Sequence, residues 1–170
     1  IIAGGIQKKA YFIIRITKES AHSDEAHAIA HLKSERKLQK RWNEILKVPG
    51  KLGKPAGTSR YAIDTLTVPY DNPYKTVMQL TSLAFLPNGN ALVATLPGDI
   101  WLVKGIDQDL KNVTWQRYAT GFNQPIGIHV DEDGVFVLDR GQIYLLHDRN
   151  GDEEVDNYET YANDFGSYDR

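Results

Sequence analysis

Apolar positions change their rhythm three times along this chain. "AYFIIRIT" (10–17) is a short β-branched run behind the Gly4-Gly5 turn signal, and it predicts a buried or half-buried strand. From Ser23 onward, Ile29, Leu32, Leu38, Trp42, Ile45 and Leu46 form an interrupted stripe at helical spacing. Ser23 can cap this segment, Asp24 and Glu25 suit the positive end of a helix dipole, and Lys47 with Pro49-Gly50 closes it. A helix is therefore expected over roughly 23–47, weakest near Ser34–Lys37. "PGKLGKPAGTSR" (49–60) reads as a linker or an irregular surface connection. Beyond Tyr61 the pattern is strand and turn to the end.

That last stretch repeats. "SLAFLPNGNALVATLPGDIWLV" (82–103) has a counterpart in "GIHVDEDGVFVLDRGQIYLL" (127–146). Gly98, Ile100 and Trp101 match Gly141, Ile143 and Tyr144, each 43 residues further on, and Tyr118-Ala119 and Phe122 match Tyr161-Ala162 and Phe165 at the same spacing. The first copy carries two extra residues, which the alignment places at Asn90 and Ala91 in its first turn. Strands are expected near 82–86, 91–95, 100–104 and 113–119, then near 126–130, 135–138, 143–147 and 157–162. A period of this length with four short strands per copy is the signature of a β-propeller blade. Two adjacent meanders of a β-sandwich remain the alternative, but they require no fixed period.

The expected fold is therefore mainly β: a partial β-propeller of about two four-stranded blades, preceded by a strand and an α-helix. Residues 1–48 would end a preceding domain, 49–60 would link, and 61–170 would form the N-terminal part of the propeller, with blades about 80–122 and 125–165. Two blades cannot close a ring. Further blades, or another chain, are expected to cover the open sheet edge.

Composition narrows the function classes. The chain has 170 residues, 41% hydrophobic and 25% charged, as in an ordinary globular protein. A net charge of −2 and a pI near 6.2 argue against a general binder of nucleic acid or anionic membranes. No apolar run approaches the roughly 18 residues of a membrane span. Cysteine is absent, which excludes disulfides, Cys-ligated zinc, iron–sulfur clusters and a C-x-x-C-H haem attachment within these residues. The chain begins at Ile1 without a basic-then-apolar leader, so a processed or partial piece of a longer protein is expected.

The densest candidate chemistry is "DRNGDEEVDNYE" (148–159), with six acidic side chains in twelve positions. Its spacing follows the calcium template D-x-[DN]-x-[DN]-G-x5-E. Asp148, Asn150 and Asp152 stand at positions one, three and five, the Glu154 carbonyl at seven, Asp156 at nine and Glu159 at twelve. Glu153 occupies the position where the template places a left-handed glycine, at a cost of about 1 kcal/mol. Lying between the third and fourth strands of a repeat, a calcium ion there would tie down a turn. The plain alternative is a solvated acidic loop.

Other groups are less specific. His27 and His31 lie one helical turn apart near His22 and Glu35, but without an H-E-x-x-H pattern. His129 and His147 fall on expected strands and could face a central channel. Arg117 and Arg140 could hold an anion, although pairing with Asp99 or Asp139 is the simpler reading. Trp101 and Trp115 are expected to pack between blades.

Four segments carry a family likeness in order: "YAIDTLTVPYDNPY" (61–74), "GDIWLVKGID" (98–107), "VTWQRYATGFNQPIGI" (113–128) and "DRNGDEEVDNYETYANDF" (148–165). They resemble the propeller region of large secreted proteins of planctomycetes and related bacteria, which look like glucose/sorbosone dehydrogenases and often carry a c-type cytochrome domain. The resemblance covers roughly 61–165, and residues 1–48 match it only loosely. The family's acidic loop usually reads D-x-N-G-D-G-E-x-D, so Glu153 is a departure from it.

The resemblance implies a secreted or periplasmic protein. It also implies a quinone cofactor and haem c, both held outside this segment, since no position here matches a quinone-binding or catalytic motif. The expected function is thus structural: part of a dehydrogenase-like propeller that feeds electrons to a cytochrome domain. The alternative is a non-catalytic, calcium-stabilised propeller that binds polysaccharide or a protein partner.

Overall fold

The computed structural model describes residues 40–55, 57 and 60–165. They contain nine β-strands in two antiparallel sheets and no helix. The described residues belong to one compact unit that begins at Lys40. The strand expected at 10–17 and the helix as far as residue 39 lie outside the described residues.

The first sheet is built from β2 (Leu80–Phe85), β3 (Ala91–Thr95), β4 (Asp99–Lys104) and β5 (Thr114–Thr120), each paired antiparallel with the next. The second is built from β6 (Gly127–Val130), β7 (Val135–Leu138), β8 (Ile143–His147) and β9 (Asn157–Ala162). Both are meanders, in which short turns join neighbours in sequence. The eight strands expected from the sequence are present, with ends displaced by at most two residues.

Burial explains why these segments read as they do. β3 and β4 are buried on both faces, so they appear as nearly continuous apolar runs. Successive residues of β4 serve opposite faces. Ile100 and Leu102 join Leu92, Tyr118 and Phe122 in a core shared with Val135, Val137, Leu146 and Val155, so the second sheet lies against this face of the first. Trp101 and Val103 join Val93 and Trp115 in a second core on the other face, closed by Leu46, Val48, Leu66, Val68 and Met78. Trp101 and Trp115 thus pack beneath the 46–78 segment and not between the two sheets.

The tail of the expected 23–47 helix is corrected where it is described. Residues 40–47 are not helical, and Ile45–Lys47 forms β1, which pairs with β5 in the register Ile45–Gln116, Leu46–Trp115, Lys47–Thr114. The free edge of β5 offers unpaired backbone groups and a place for Leu46 in the second core. That tertiary pairing overrides a helical stripe whose intrinsic preference is small. The 49–60 segment also docks where it is described. Val48 donates its N–H to Val113, Gly50 donates to Leu110, and Lys51 bridges Thr65. The first sheet therefore includes Ile45–Lys47 as its edge strand beside β5.

The repeat is closer in three dimensions than in the sequence. In both sheets a register shift falls at the same place on the third and fourth strands, between Ile100 and Trp101 and between Ile143 and Tyr144. Bulges of this kind are built features, because each re-aims the side chains that follow. The two extra residues are not both in the first turn. The offset steps from 45 (Leu83 to Ile128) to 44 (Val93 to Val137) to 43 (Trp101 to Tyr144), so each of the first two turns is one residue longer in the first copy. Ala91 is the buried first residue of β3. The extra room in the second turn puts Gly98 at φ +114, where a Cβ would stand 2.3 Å from the Phe122 carbonyl oxygen; Gly141 makes no such approach.

Candidate functional site: the acidic loop at the sheet junction

The loop between β8 and β9 folds around its own carboxylates. Asp148 accepts amide N–H bonds from Gly151 (2.8 Å), Asp152 (3.3 Å) and Glu153 (2.8 Å). Asn150 Oδ1 accepts from the Asp152 amide, and Asp152 Oδ1 accepts from that of Glu154. Asp156 Oδ2 accepts from the amides of Arg149 and Asn150. Short Asx side chains reach nearby backbone donors, which is why such residues favour turns. The chain turns left-handed at Glu153, with φ +68, as the calcium template requires of its sixth position.

The Glu154 side chain, whose residue offers only its carbonyl to the template, and Glu159 face elsewhere. Glu154 is buried, and its carboxylate accepts from the Arg41 guanidinium and from the backbone N–H groups of Arg41 (2.7 Å) and Trp42 (3.1 Å). Glu159 lies on β9 and pairs with His147 Nε2 at 2.8 Å. Asp148, Asn150, Asp152 and Asp156 therefore share the loop, whereas the carboxylates of Glu154 and Glu159 have other partners. Among the described residues, no group of three or more His, Asp or Glu side chains is arranged to hold a metal ion. The left-handed turn at Glu153 matches the sixth position of the calcium template, whereas the Glu159 carboxylate of the twelfth position is engaged by His147.

Basic residues hold the loop against the first sheet. Lys40 Nζ donates to the Asp152 carbonyl (2.8 Å), and Arg41 Nη2 donates to the Val155 carbonyl (2.7 Å). Lys104 pairs with Glu153, and Gln116 Nε2 donates to the Glu153 carbonyl. The Val155 N–H donates to the Tyr118 carbonyl, with the Val155 side chain fully buried. The sequence did not point to Lys40, Arg41 and Trp42, which were absorbed into the expected helix. Their signal was a pair of cations beside a large aromatic, complementary to the acidic run.

Beside this contact, Arg117 lies 3.7 Å above the Tyr74 ring and close to Trp42 and Trp101, while its Nη2 donates to Asp99. The expected Arg117–Asp99 pairing is present, and a guanidinium stacked on aromatic faces serves packing as well as charge. Arg140 Nη1 donates to Gln124. His129 pairs with Asp131 on the surface, on the side of the second sheet that carries Phe136 and Tyr161. His22, His27, His31 and Glu35 lie outside the described residues.

Burial shifts the junction tyrosines. The Tyr118 hydroxyl is pushed up to about 12, first by burial and then by the negative charge of Asp148. Tyr158 is raised mainly by burial. Tyr74 is raised by burial and by donating to Glu44, whose carboxyl that same bond lowers.

No protein-family model, no curated protein and no solved structure matches this chain.

Proposed function

We propose that this chain is an architectural part of a β-propeller: two consecutive blades of a secreted, dehydrogenase-like protein. One observation carries the reading. The two meanders share strand order and the bulge between their third and fourth strands, yet they meet through opposite faces. The first sheet contributes Ile100, Leu102 and Tyr118 to the junction, and the second contributes Tyr144, Leu146 and Tyr158, which are the counterparts of Trp101, Val103 and Trp115. Head-to-tail stacking of this kind can continue, as blades do around a ring. Their first strands also meet, since Thr81 donates to the Pro125 carbonyl and Ser82 Oγ accepts from the Ile128 amide.

In this reading the acidic loop is a staple for the blade junction, with a calcium ion on Asp148, Asn150, Asp152, Asp156 and the Glu154 carbonyl. Glu159 completes the set only by leaving His147. The ion is structural and takes no part in a reaction step. Electron transfer through a quinone and a c-type haem belongs to parts of the protein outside this segment, a proposal that rests on the resemblance alone. The second reading, a non-catalytic propeller for polysaccharide or a protein partner, is favoured by the exposed apolar Leu83 and Phe85 on the first strand, which offer no acid–base group.

Two measurements separate these readings. The protein expressed from its whole gene is assayed for quinone-dependent oxidation of sugars and for c-type haem absorption; absence of both sinks the dehydrogenase. Thermal unfolding is then followed with calcium and with a chelator. A ligand that binds only the folded state stabilises by about 2.7 kcal/mol at a hundredfold excess over Kd. No shift at millimolar calcium leaves the loop held by its protein contacts, those of Lys40, Arg41, Lys104 and Gln116 among them. No helix of the described residues is long and apolar enough to cross a membrane.

A further inference from the structure

Two Asn-Gly pairs lie in exposed turns, Asn88-Gly89 in the first sheet and Asn150-Gly151 in the acidic loop. In such a pair the glycine nitrogen can attack the asparagine side-chain carbonyl carbon, because the glycine carries no side chain to obstruct it. The two pairs are closely matched. Both glycines hold positive φ, +84 at Gly89 and +73 at Gly151, and a Cβ added at either would meet nothing within 4 Å. Both asparagines fold Oδ1 back onto the amide N–H two residues on, that of Asn90 at 3.1 Å and that of Asp152 at 3.0 Å. This turn closes a ring through Cγ and the glycine nitrogen, so it holds close together the two atoms that would join.

The pairs differ in what surrounds the reacting atoms. The Gly89 N–H donates to the Leu86 carbonyl (2.9 Å), a neutral acceptor that cannot keep a proton. The Gly151 N–H donates to the Asp148 carboxylate (2.8 Å). Nδ2 of Asn150, the leaving group, donates to the Asp152 carboxylate (3.0 Å). Among the described residues, no carboxylate is hydrogen-bonded to the Asn88 amide.

We propose that Asn150 is a self-modification site, which the folded loop converts to aspartate and isoaspartate without an enzyme. The Gly151 nitrogen bonds to Cγ of Asn150 while its proton passes to Asp148. The Asp152 N–H, shared with Asp148 at 3.3 Å, stabilises the negative charge that forms on Oδ1. The Cγ–Nδ2 bond then breaks, and Nδ2 leaves as ammonia with the proton that Gly151 gave up. A five-membered succinimide remains. Water opens it at one carbonyl to give aspartate, or at the other to give isoaspartate, whose backbone runs through the former side chain.

The first sheet shows which product the loop accepts. The counterpart of Asn150 is Asp107, whose Oδ1 accepts from the amides of Asp109 (3.0 Å) and Leu110 (2.7 Å). Aspartate at 150 therefore keeps the turn. Isoaspartate lengthens the backbone by one carbon just before Asp152 and Glu153, the residues that Lys40 and Lys104 hold. Either product adds a negative charge to the loop. The inference is independent of the propeller reading. A calcium ion on Asp148 and Asn150 would slow the reaction, because it takes both the proton acceptor and Oδ1.

The test uses the protein expressed from its whole gene, held at neutral pH with a chelator. Peptide mass spectrometry follows the amide-to-acid conversion at each Asn-Gly pair. In the native protein Asn150 is expected to react at least about tenfold faster than Asn88. In urea the two are expected to react at similar rates, as matched Asn-Gly pairs should. A native ratio below tenfold overturns the proposal. So does a ratio that persists in urea, which would assign the rate to neighbouring residues and not to the folded loop. Asp148→Asn keeps an acceptor for the Gly151 N–H but cannot take its proton. It is expected to slow Asn150 several-fold and leave Asn88 unchanged; an unchanged Asn150 rate overturns the role given to Asp148. Calcium tests the other reading separately. If added calcium leaves the Asn150 rate unaltered, the calcium staple fails while the tenfold ratio, and with it this proposal, stands.

Discussion

The two sheets are near copies in register but differ in what encloses them. The first is packed on both faces, against the second sheet on one side and the 46–78 segment on the other. Among the described residues, the second is packed on one face only. Trp101 and Tyr144 stand at equivalent positions after equivalent bulges, yet Trp101 is fully buried and Tyr144 half-buried. The difference teaches that a sheet's stability is set by its neighbours more than by its own sequence. Trp101→Ala should cost about 4 kcal/mol and Tyr144→Ala about 2 kcal/mol, read from urea unfolding. Equal costs would break the comparison.

The junction between the sheets has a pH signature. Tyr118 in the folded state holds its proton up to about 12, against an ordinary value of 10.0. Between these values the folded state binds more protons than the unfolded one, so stability falls as pH rises. The contribution of Tyr118 is fully present below pH 10 and is lost as pH climbs through its folded value, on the order of 2–3 kcal/mol in all. Tyr118→Phe should therefore flatten the loss of stability between pH 10 and 12. An unchanged alkaline slope would place the pH response elsewhere.

The sequence revealed the two sheets unevenly. Eight strands were legible because their apolar residues are bounded by turn residues such as Asn88-Gly89 and Asp133-Gly134 and recur at a fixed offset. β1 was not, because Ile45–Lys47 has no pattern of its own and becomes a strand only by pairing with β5. Asn90-Ala91 absorbed both extra residues because an alignment places a gap where it disturbs fewest matches, whereas the pairing divides it between two turns. The acidic loop was located correctly between the third and fourth strands of the second copy. What it binds within the chain was not legible, since Arg41 and Glu154 lie 113 residues apart and nothing local links them.

That long-range contact sharpens the comparison, because it connects the copies from outside the repeat. Glu154 is buried and receives three donors from Arg41 and Trp42. Arg41→Ala leaves the two backbone donors but removes the countercharge, and it should destabilise by about 2 kcal/mol. Water reaches the partly exposed guanidinium, which keeps the cost below that of a fully buried pair. Lys104→Ala, at the half-exposed pair with Glu153, should cost less than about 1 kcal/mol. A double-mutant cycle at Arg41 and Glu154 checks the assignment; a coupling near zero would mean that the loop is held by its backbone contacts alone.

The smallest effect concerns one residue, and it bears on both readings of the loop. Glu153 holds φ +68, a conformation that disfavours a side chain and suits glycine, and its counterpart Leu110 in the first sheet holds φ +51. Both copies thus turn left-handed at the same point on non-glycine residues, so the geometry belongs to the repeat and does not depend on a bound ion. Glu153→Gly relieves the backbone strain but loses the Lys104 pair and gains freedom in the unfolded chain. These terms nearly cancel, and without calcium the stability should change by less than about 1 kcal/mol. With calcium the variant should gain more than the parent, because removing a side chain from the sixth position restores the template and frees the loop from Lys104. Thermal unfolding of both proteins across a calcium series measures this. A variant that responds no more than the parent would show that Glu153 does not govern the loop's affinity, and that the engagement of Glu159 by His147 is the feature to change next.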